Sequence, residues 1–266
     1  MNTFEMTLLA GGLAAALTAA ALPAPAQTVE SPAAPQRSST CADCHVANVD
    51  RSPAPEHFRE WELSAHGRAG VGCESCHGGD PSTFDSFRAH RDVLATSNPS
   101  SPTHRRNVAA TCGACHAGAY LAYRRGPHFP LLASDVEIPT CTDCHGAVGA
   151  HLLSSRTLEA RCSRCHGGDA AYPMPEIAHQ ARLLLEGIGH VRALLQQARP
   201  LIDRVTDATR RQQLLDAYHQ AEVPLTEATD IGHGIGMLAV TERLDIAQLR
   251  AEALLELLAN PDGLER

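Results

Sequence analysis

The sequence contains no lysine, although it has 266 residues and 22 basic side chains, all of them arginine. This absence excludes enzymes that depend on a Schiff-base, P-loop or kinase lysine. Acidic side chains number 30, so the formal net charge is −8, which argues against nucleic acid as a partner. Aromatic residues make up only 4% of the chain, yet aromatic side chains normally supply much of a core's buried area. The interior must therefore be filled in another way.

Long apolar runs are also scarce, and one candidate membrane-spanning stretch stands out, between Leu8 and Leu22. It is followed by Ala24-Pro25-Ala26, a small-x-small pattern that predicts a secretory signal peptide over residues 1–26 and a periplasmic destination. Residues 27–40, rich in Pro, Ser and Ala, are predicted to be a flexible leader. The alternative is an uncleaved anchor, but the run is short for a span of about 20 residues. Membrane association is expected only if the segment is uncleaved.

Cysteine and histidine, by contrast, are abundant, at ten and fifteen residues. All ten cysteines fall into five copies of C-x-x-C-H, the pattern of covalent c-type haem attachment. The five copies are Cys41, Cys44 and His45; Cys73, Cys76 and His77; Cys112, Cys115 and His116; Cys141, Cys144 and His145; and Cys162, Cys165 and His166.

The spacing suits this chemistry because positions i and i+3 of a helical turn lie on one face, so two thiols can reach the two vinyl groups of one porphyrin. The histidine that follows can then supply the proximal iron ligand. A five-disulfide scaffold and paired zinc knuckles are the alternatives. Neither explains a histidine directly after every second cysteine, and zinc knuckles would use the motifs in pairs. The sequence therefore predicts five covalently attached haem c groups.

Five haems within 126 residues would replace the missing aromatic core, so the polypeptide around them is expected to be short helical turns and irregular loop. The predicted fold is mainly α with much irregular loop. It consists of a haem-packed pentahaem cytochrome domain over residues 41–170 and a helical hairpin or bundle over residues 171–266.

Each iron also needs a sixth ligand, and ten histidines lie outside the motifs. In two segments an aromatic residue lies eight positions before a histidine, another lies five before it, and a small residue lies two before it. This internal repeat makes His66 equivalent to His128. His90 and His179 each lie 13 positions after a motif histidine that is itself followed by Gly-Gly-Asp. His151 lies six positions after His145. The predicted distal ligands are His66, His90, His128, His151 and His179, with His57 and His104 in reserve.

The segment from Cys73-Glu-Ser-Cys76-His77-Gly78, through His90 and Asn98-Pro-Ser-Ser-Pro102, to Thr111-Cys112-Gly-Ala-Cys115-His116 resembles multihaem cytochromes of the c3 and c552/c554 type. The likeness extends over roughly Cys41 to Gly168. In that group an S-x-H element before a motif supplies a distal ligand, which implies this role for His66 in Ser64-Ala65-His66. A histidine after a C-H-G element does so too, which implies the role for His90 and His151. Gly126 stands where the pattern before His128 would have serine.

After Gly168 the cysteines stop and helical periodicity begins, with Leu184, Ile188, Val191 and Leu195 on one stripe. Pro200 and Pro224 are predicted to interrupt the helical run, and Asp245 to be the N-cap of a last helix. Three to four amphipathic helices are expected. The segment is acidic, which indicates a solvated face or a docking surface for a basic partner. His190, His219 and His233 are expected to be ordinary polar or hydrogen-bonded histidines.

Closely packed haems capped by histidine on both sides predict an electron carrier, without catalytic residues, whose partners are other redox proteins. Those partners would be a quinol-oxidising membrane cytochrome, a terminal reductase or another cytochrome. The alternative is a small multihaem reductase of nitrogen or sulfur oxyanions with one open haem. Pairs such as Arg105-Arg106 and Arg124-Arg125 could bind its anion, although salt bridges to haem propionates are the simpler use. A structural or partner-docking subunit is a third reading.

Overall fold

The structure, a computed structural model, describes residues 40–48, 55–134, 136–148 and 154–260. The predicted signal peptide, the predicted leader before Thr40, and His151 lie outside these ranges. The described residues are mainly helical with irregular loops and contain no β-strand, which confirms the predicted fold class. None of the described helices is both long enough and apolar enough to cross a bilayer.

The motif region, defined here as the described residues from 40 to 168, is built from short helices. One of them, Phe129–Ala133, is a 3₁₀ helix. The α-helices are α1 (Thr40–Ala47), α2 (Pro55–Leu63), α3 (Ala65–Arg68), α4 (Glu74–His77), α5 (Ser86–Ala89), α6 (Val108–Gly113), α7 (Ala117–Arg125), α8 (Cys141–His145) and α9 (Ser155–His166).

Capping residues decide where these short helices begin and end. Ser64 accepts a hydrogen bond from Gly67 N at 3.0 Å at the start of α3, and Thr140 N donates to the Asp143 carboxylate at 2.8 Å at the start of α8. Gly78 and Gly146 end α4 and α8 with φ near +75°, a conformation open to glycine without a Cβ penalty. Two of the motif histidines are therefore the last residues of their helices, directly before a sharp change in chain direction.

The helical region comprises three long helices, α10 (Pro175–Asp203), α11 (Ala208–Gly232) and α12 (Met237–Ala259). The predicted stripe faces inward: Ile188, Val191 and Leu195 are buried, and Leu184 packs against the same core. Small residues in the core, such as Ala221 and Ala247, let the helices approach one another closely. This region therefore has a continuous apolar core of its own.

The two predicted interruptions by proline are wrong, because Pro200 lies inside α10 and Pro224 inside α11. A proline within a helix has no N–H for the carbonyl four residues before it. At Pro224 that carbonyl belongs to Gln220, and the Arg250 guanidinium of α12 donates to it at 2.8 Å instead. The predicted N-cap at Asp245 is also wrong, since α12 begins eight residues earlier.

All described residues belong to one compact unit, and the two regions make their most extensive contacts through two helix pairs, α9 with α10 and α7 with α11. Between α9 and α10, Arg182 bridges Glu159 at 3.0 Å and Glu186 at 2.9 Å, while Ser155 donates to Glu186 at 2.9 Å. Since Arg182 is only 24% exposed, this network is partly shielded from water. The fifth motif, at the end of α9, is thereby held against the helical region.

Candidate haem-binding sites

Every motif is built on a helical turn, as the predicted attachment geometry requires. The first, fourth and fifth motifs lie within α1, α8 and α9. In the second motif Cys73 is the N-cap of α4, and His77 N donates to Cys73 O at 2.9 Å. In the third, α6 ends just after Cys112, yet His116 N still donates to Cys112 O at 2.9 Å. The two thiols and the histidine of each motif are thus kept on one side of a turn.

All ten cysteines lie within the described ranges and are free thiols. The disulfide alternative is therefore not the arrangement of this structure.

Thiols of consecutive motifs lie beside one another at the start of the series. Burial raises the pKa of Cys73 to about 11, and the neighbouring Cys41 of the first motif adds to the rise. Burial also raises the pKa of Cys76, and Cys112 and Cys115 of the third motif raise it further. Motifs one, two and three are therefore adjacent in space in the same order as in the chain.

The same order continues through the fourth and fifth motifs. Interaction between the neighbouring Cys112 and Cys141 thiols raises the pKa of Cys112 and lowers the pKa of Cys141. Burial raises the pKa of Cys144, and the nearby Cys162 of the fifth motif contributes to the rise. The thiols of each motif are thus close enough to influence the thiols of the next motif along the chain.

Ten of the described histidines are arranged in five pairs, each joining one motif histidine to one histidine from outside the motifs. The ring-centroid separations are 6.0 Å for His45–His90, 5.9 Å for His77–His57, 5.9 Å for His116–His66, 6.2 Å for His145–His233 and 6.2 Å for His166–His128.

These separations fit one iron between the two rings of each pair. With metal–nitrogen bonds of about 2.0 Å and centroids about 1.1 Å behind the bound nitrogens, two imidazoles on opposite sides of one iron have centroids about 6.2 Å apart. The angles between ring planes range from 21° to 82°, which an iron tolerates because each ring can turn about its own metal–nitrogen bond. Aromatic stacking alone also allows such distances. It does not explain why each pair contains one motif histidine.

Hydrogen bonds orient several of these rings. In four of them Nδ1 lies against a backbone carbonyl, which can only accept, so Nδ1 holds the proton and Nε2 is left free to bind a metal. The four contacts are His66 to Val148 O at 2.8 Å, His90 to Ser86 O at 2.8 Å, His166 to Tyr172 O at 3.0 Å and His233 to Thr229 O at 3.0 Å.

Burial favours the neutral imidazole at two further positions. Burial lowers the pKa of His77, and the neighbouring His57 and His45 lower it further. Burial also lowers the pKa of His128, and the neighbouring His166 lowers it further. Neutral imidazole is the form that ligates metal. Nδ1 of His128 is buried and has no hydrogen-bond partner among the described residues.

The internal repeat has the same backbone course in both copies. Ser64 and Gly126, each two residues before a distal candidate, are extended, with φ/ψ of −75°/167° and −77°/162°. The aromatic residue five before the histidine also plays the same part in each copy. Trp61 donates to Val71 O at 2.8 Å and Tyr123 to Pro139 O at 3.0 Å, and each carbonyl lies two residues before the next motif's first cysteine.

Three predicted distal candidates therefore face a motif histidine, namely His66, His90 and His128, while His151 lies outside the described residues. The structure does not bring His179 to a described motif histidine. Its Nδ1 lies 3.5 Å from the Glu159 carboxylate, within the network that joins α9 to α10. Its spacing matches that of His90, but His90 caps the four-residue α5 whereas His179 lies in the long α10. The ligand role of His179 stays a prediction.

The other two pairs use His57, held in reserve by the sequence argument, and His233, expected there to be an ordinary histidine. His233 lies in Gly232-His-Gly-Ile-Gly236, where three glycines interrupt the helical periodicity, and this interruption was the one signal in the sequence. His104 accepts a hydrogen bond from Arg106 N at 3.2 Å. Two arginines considered for anion binding contact the chain itself: Arg105 donates to Ile138 O at 3.2 Å, and Arg124 lies over the Phe129 ring.

Comparison with known proteins bears on the attachment motifs alone. The family model "Cytochrome c554 and c-prime" matches residues 17–78, which include the first two motifs. A C-type polyheme cytochrome, OmcC, of Geobacter sulfurreducens is 29% identical over 119 residues. That alignment covers 42% of this chain and 15% of the relative's length. No solved structure matches. These likenesses support a multihaem c-type cytochrome with a role in electron transfer.

Proposed function

We propose that this protein is an exported pentahaem c-type cytochrome that relays electrons between other redox proteins through five haems, each ligated by two histidines. The observation that supports it best is the set of five histidine pairs at 5.9–6.2 Å, each containing one motif histidine. Ten thiols and ten imidazoles are the donor set that five covalent haems require.

Bound haem supplies reversible one-electron chemistry; the protein supplies attachment, axial ligation and electrostatics. If both histidines of a pair bound the iron, no coordination position would remain for a substrate. In four pairs a ring is held by a hydrogen bond from its Nδ1 to a backbone carbonyl, which keeps the ligand in place in both oxidation states. This arrangement suits a carrier better than a reductase.

The order of the motif thiols supports a linear path for electrons. Because consecutive motifs are neighbours in space, groups attached to them would follow one another from the first motif to the fifth. The two ends of such a series, at α1 and at α9, would exchange electrons with partners. Candidate partners are a quinol-oxidising membrane cytochrome, a terminal reductase or another cytochrome.

Export agrees with the proposed chemistry, because c-type haem is attached outside the cytoplasmic membrane. The support lies in the apolar run and the small-x-small pattern before Gln27. N-terminal sequencing of the purified holoprotein tests this part, and a mature chain that begins at Gln27 is the expected result. A chain that still begins at Met1 in the membrane fraction would contradict it.

The ligation is tested by spin state in the full holoprotein. The unmutated protein should contain five covalent haems by intact mass, all low-spin, and should bind no carbon monoxide. His128→Ala should convert one haem to high spin, create one carbon-monoxide site and raise that haem's potential, because the lost imidazole had favoured the ferric iron. His219→Ala is the matched control, since His219 is exposed and contacts Glu222, and it should change none of these signals.

The alternative function predicts a different starting point. A reductase would show one high-spin haem before any mutation, and that haem would bind nitrite or hydroxylamine. That result would replace the carrier with the reductase.

A further inference from the structure

We propose that the helical region supplies an iron ligand: His233, at the turn between α11 and α12, is the distal ligand of the haem on the fourth motif. This inference rests on the proposed function, because it presupposes a haem at that motif. His233 is the C-cap of α11, and its ring lies 6.2 Å from that of His145, with an angle of 21° between the planes. The other four pairs join histidines from within the motif region.

The orientation of the ring is determined by its own helix. His233 Nδ1 lies 3.0 Å from Thr229 O and 3.3 Å from Asp230 O, two carbonyls of the last turn of α11. Since both are acceptors, the proton is on Nδ1, and Nε2 is the nitrogen available to iron.

The position of the turn is determined by contact between backbones. A Cβ atom on Gly234 would lie 2.7 Å from Ala122 O, and one on Gly126 would lie 2.5 Å from Gly234 O. Both distances are too short for a side chain, so the turn after His233 packs directly against the end of α7. This contact also explains why Gly126 stands where the first repeat has Ser64: a side chain would push away the turn that holds His233.

The turn also contains a strained residue. Ile235 has φ of +58°, a left-handed conformation that is rare for a β-branched side chain. Such residues persist where the surroundings impose the conformation, and they are concentrated at functional sites. Here the chain must reverse from α11 into α12 within four residues while His233 faces α8. The strained Ile235 and the glycines on either side of it, Gly234 and Gly236, are the local conformational cost of placing that histidine.

The test uses the full pentahaem protein and counts open haems by carbon-monoxide titration and by low-temperature electron paramagnetic resonance. His233→Ala should open one haem, so that one carbon monoxide binds per protein and about one fifth of the low-spin signal is lost. His128→Ala/His233→Ala should open two, because the two histidines serve different irons. His219→Ala, also on α11, should open none.

His151 is the competing ligand, because it follows His145 closely in the chain. His151→Ala should leave all five haems low-spin. If His151→Ala opens a haem and His233→Ala opens none, the inference is overturned and the fourth haem takes its ligand from its own loop.

A second variant guards against misfolding. His233→Met keeps a potential ligand, so it should remain low-spin, gain the absorption band of a thioether–iron bond and raise the potential of one haem. An unchanged spectrum and potential in this variant would overturn the inference even if His233→Ala does not fold. Failure of the proposed function is distinguishable, since it would show as an open haem in the unmutated protein. If the unmutated protein has such an open haem and His233→Ala opens a second one, His233 remains the assigned ligand although the carrier function is lost.

Discussion

The motif region and the helical region of this chain are stabilised in different ways. Among the residues that the structure describes, six buried apolar side chains lie before residue 140 and sixteen lie from residue 178 onward. The helical region therefore has an ordinary side-chain core shared by α10, α11 and α12. The described part of the motif region is the longer of the two but buries far less of its own apolar surface, so its structure is expected to depend on haem bound at its motifs.

Exposed aromatic residues point the same way. Phe84 is 66% exposed and Phe87 is 86% exposed, and both lie in the short segment that leads to His90. Large apolar side chains so close to a candidate iron ligand are the kind of surface that a porphyrin covers. One chain thus combines a region organised by its own side chains with a region whose sparse core is expected to be completed by bound haem.

Preventing haem attachment should produce the largest difference in stability between the two regions. When serine replaces all ten motif cysteines, the motif region should lose nearly all protection of its amides, because little apolar surface remains to hold it together. Helices α10–α12 should keep slowly exchanging amides. Hydrogen exchange with mass spectrometry measures both regions in one sample, with the holoprotein as reference. Retained protection around residues 108–145 would show that this region folds without haem.

A cavity in the helical core should have the opposite effect, because it should destabilise the helical region and leave the motif region unchanged. Leu254 is 1% exposed, and Leu254→Ala should lower the free energy of unfolding of the helical region by about 2–5 kcal/mol. Leu249 on the same helix is 70% exposed, so Leu249→Ala should change the same free energy by about 0.5 kcal/mol or less. Denaturation followed by circular dichroism measures the difference. A changed haem spin state in Leu254→Ala would indicate that the regions do not respond separately.

A smaller effect is expected from one hydrogen bond of the internal repeat. Tyr123→Phe removes the bond to Pro139 O and should destabilise the motif region by about 1 kcal/mol. Tyr172→Phe, at an exposed position, is the control and should have almost no effect. Unfolding monitored by the haem absorbance measures both.

The contribution of Tyr123 should also depend on pH in a defined direction. Burial raises the pKa of Tyr123 from 10.0 to about 12, so the folded protein keeps the hydroxyl protonated where the unfolded chain begins to ionise. The stability difference between the unmutated protein and Tyr123→Phe should be complete below pH 10 and should disappear as the pH rises through about 12. A difference that grows above pH 10 would contradict this reading.

Local rules predicted the parts of this protein that depend on short stretches of chain. The attachment motifs need only one helical turn each, and the equivalence of His66 and His128 follows from a repeat of nine residues with one backbone course. The inward-facing stripe at Ile188, Val191 and Leu195 could be predicted because helical periodicity depends on neighbouring residues alone. Nothing in such patterns states which distant segment approaches a given ring.

Those approaches were decided by the tertiary structure. His233 faces His145 because α11 packs on α7, and that packing depends on two glycines more than a hundred residues apart, Gly126 and Gly234. Pro224 remains inside a helix because Arg250, from another helix, satisfies the carbonyl it leaves without a partner. Thus the sequence by itself determined the chemistry of the candidate sites. The partner of each ring was decided only by the folded chain, since contacts between remote segments are set by three-dimensional packing.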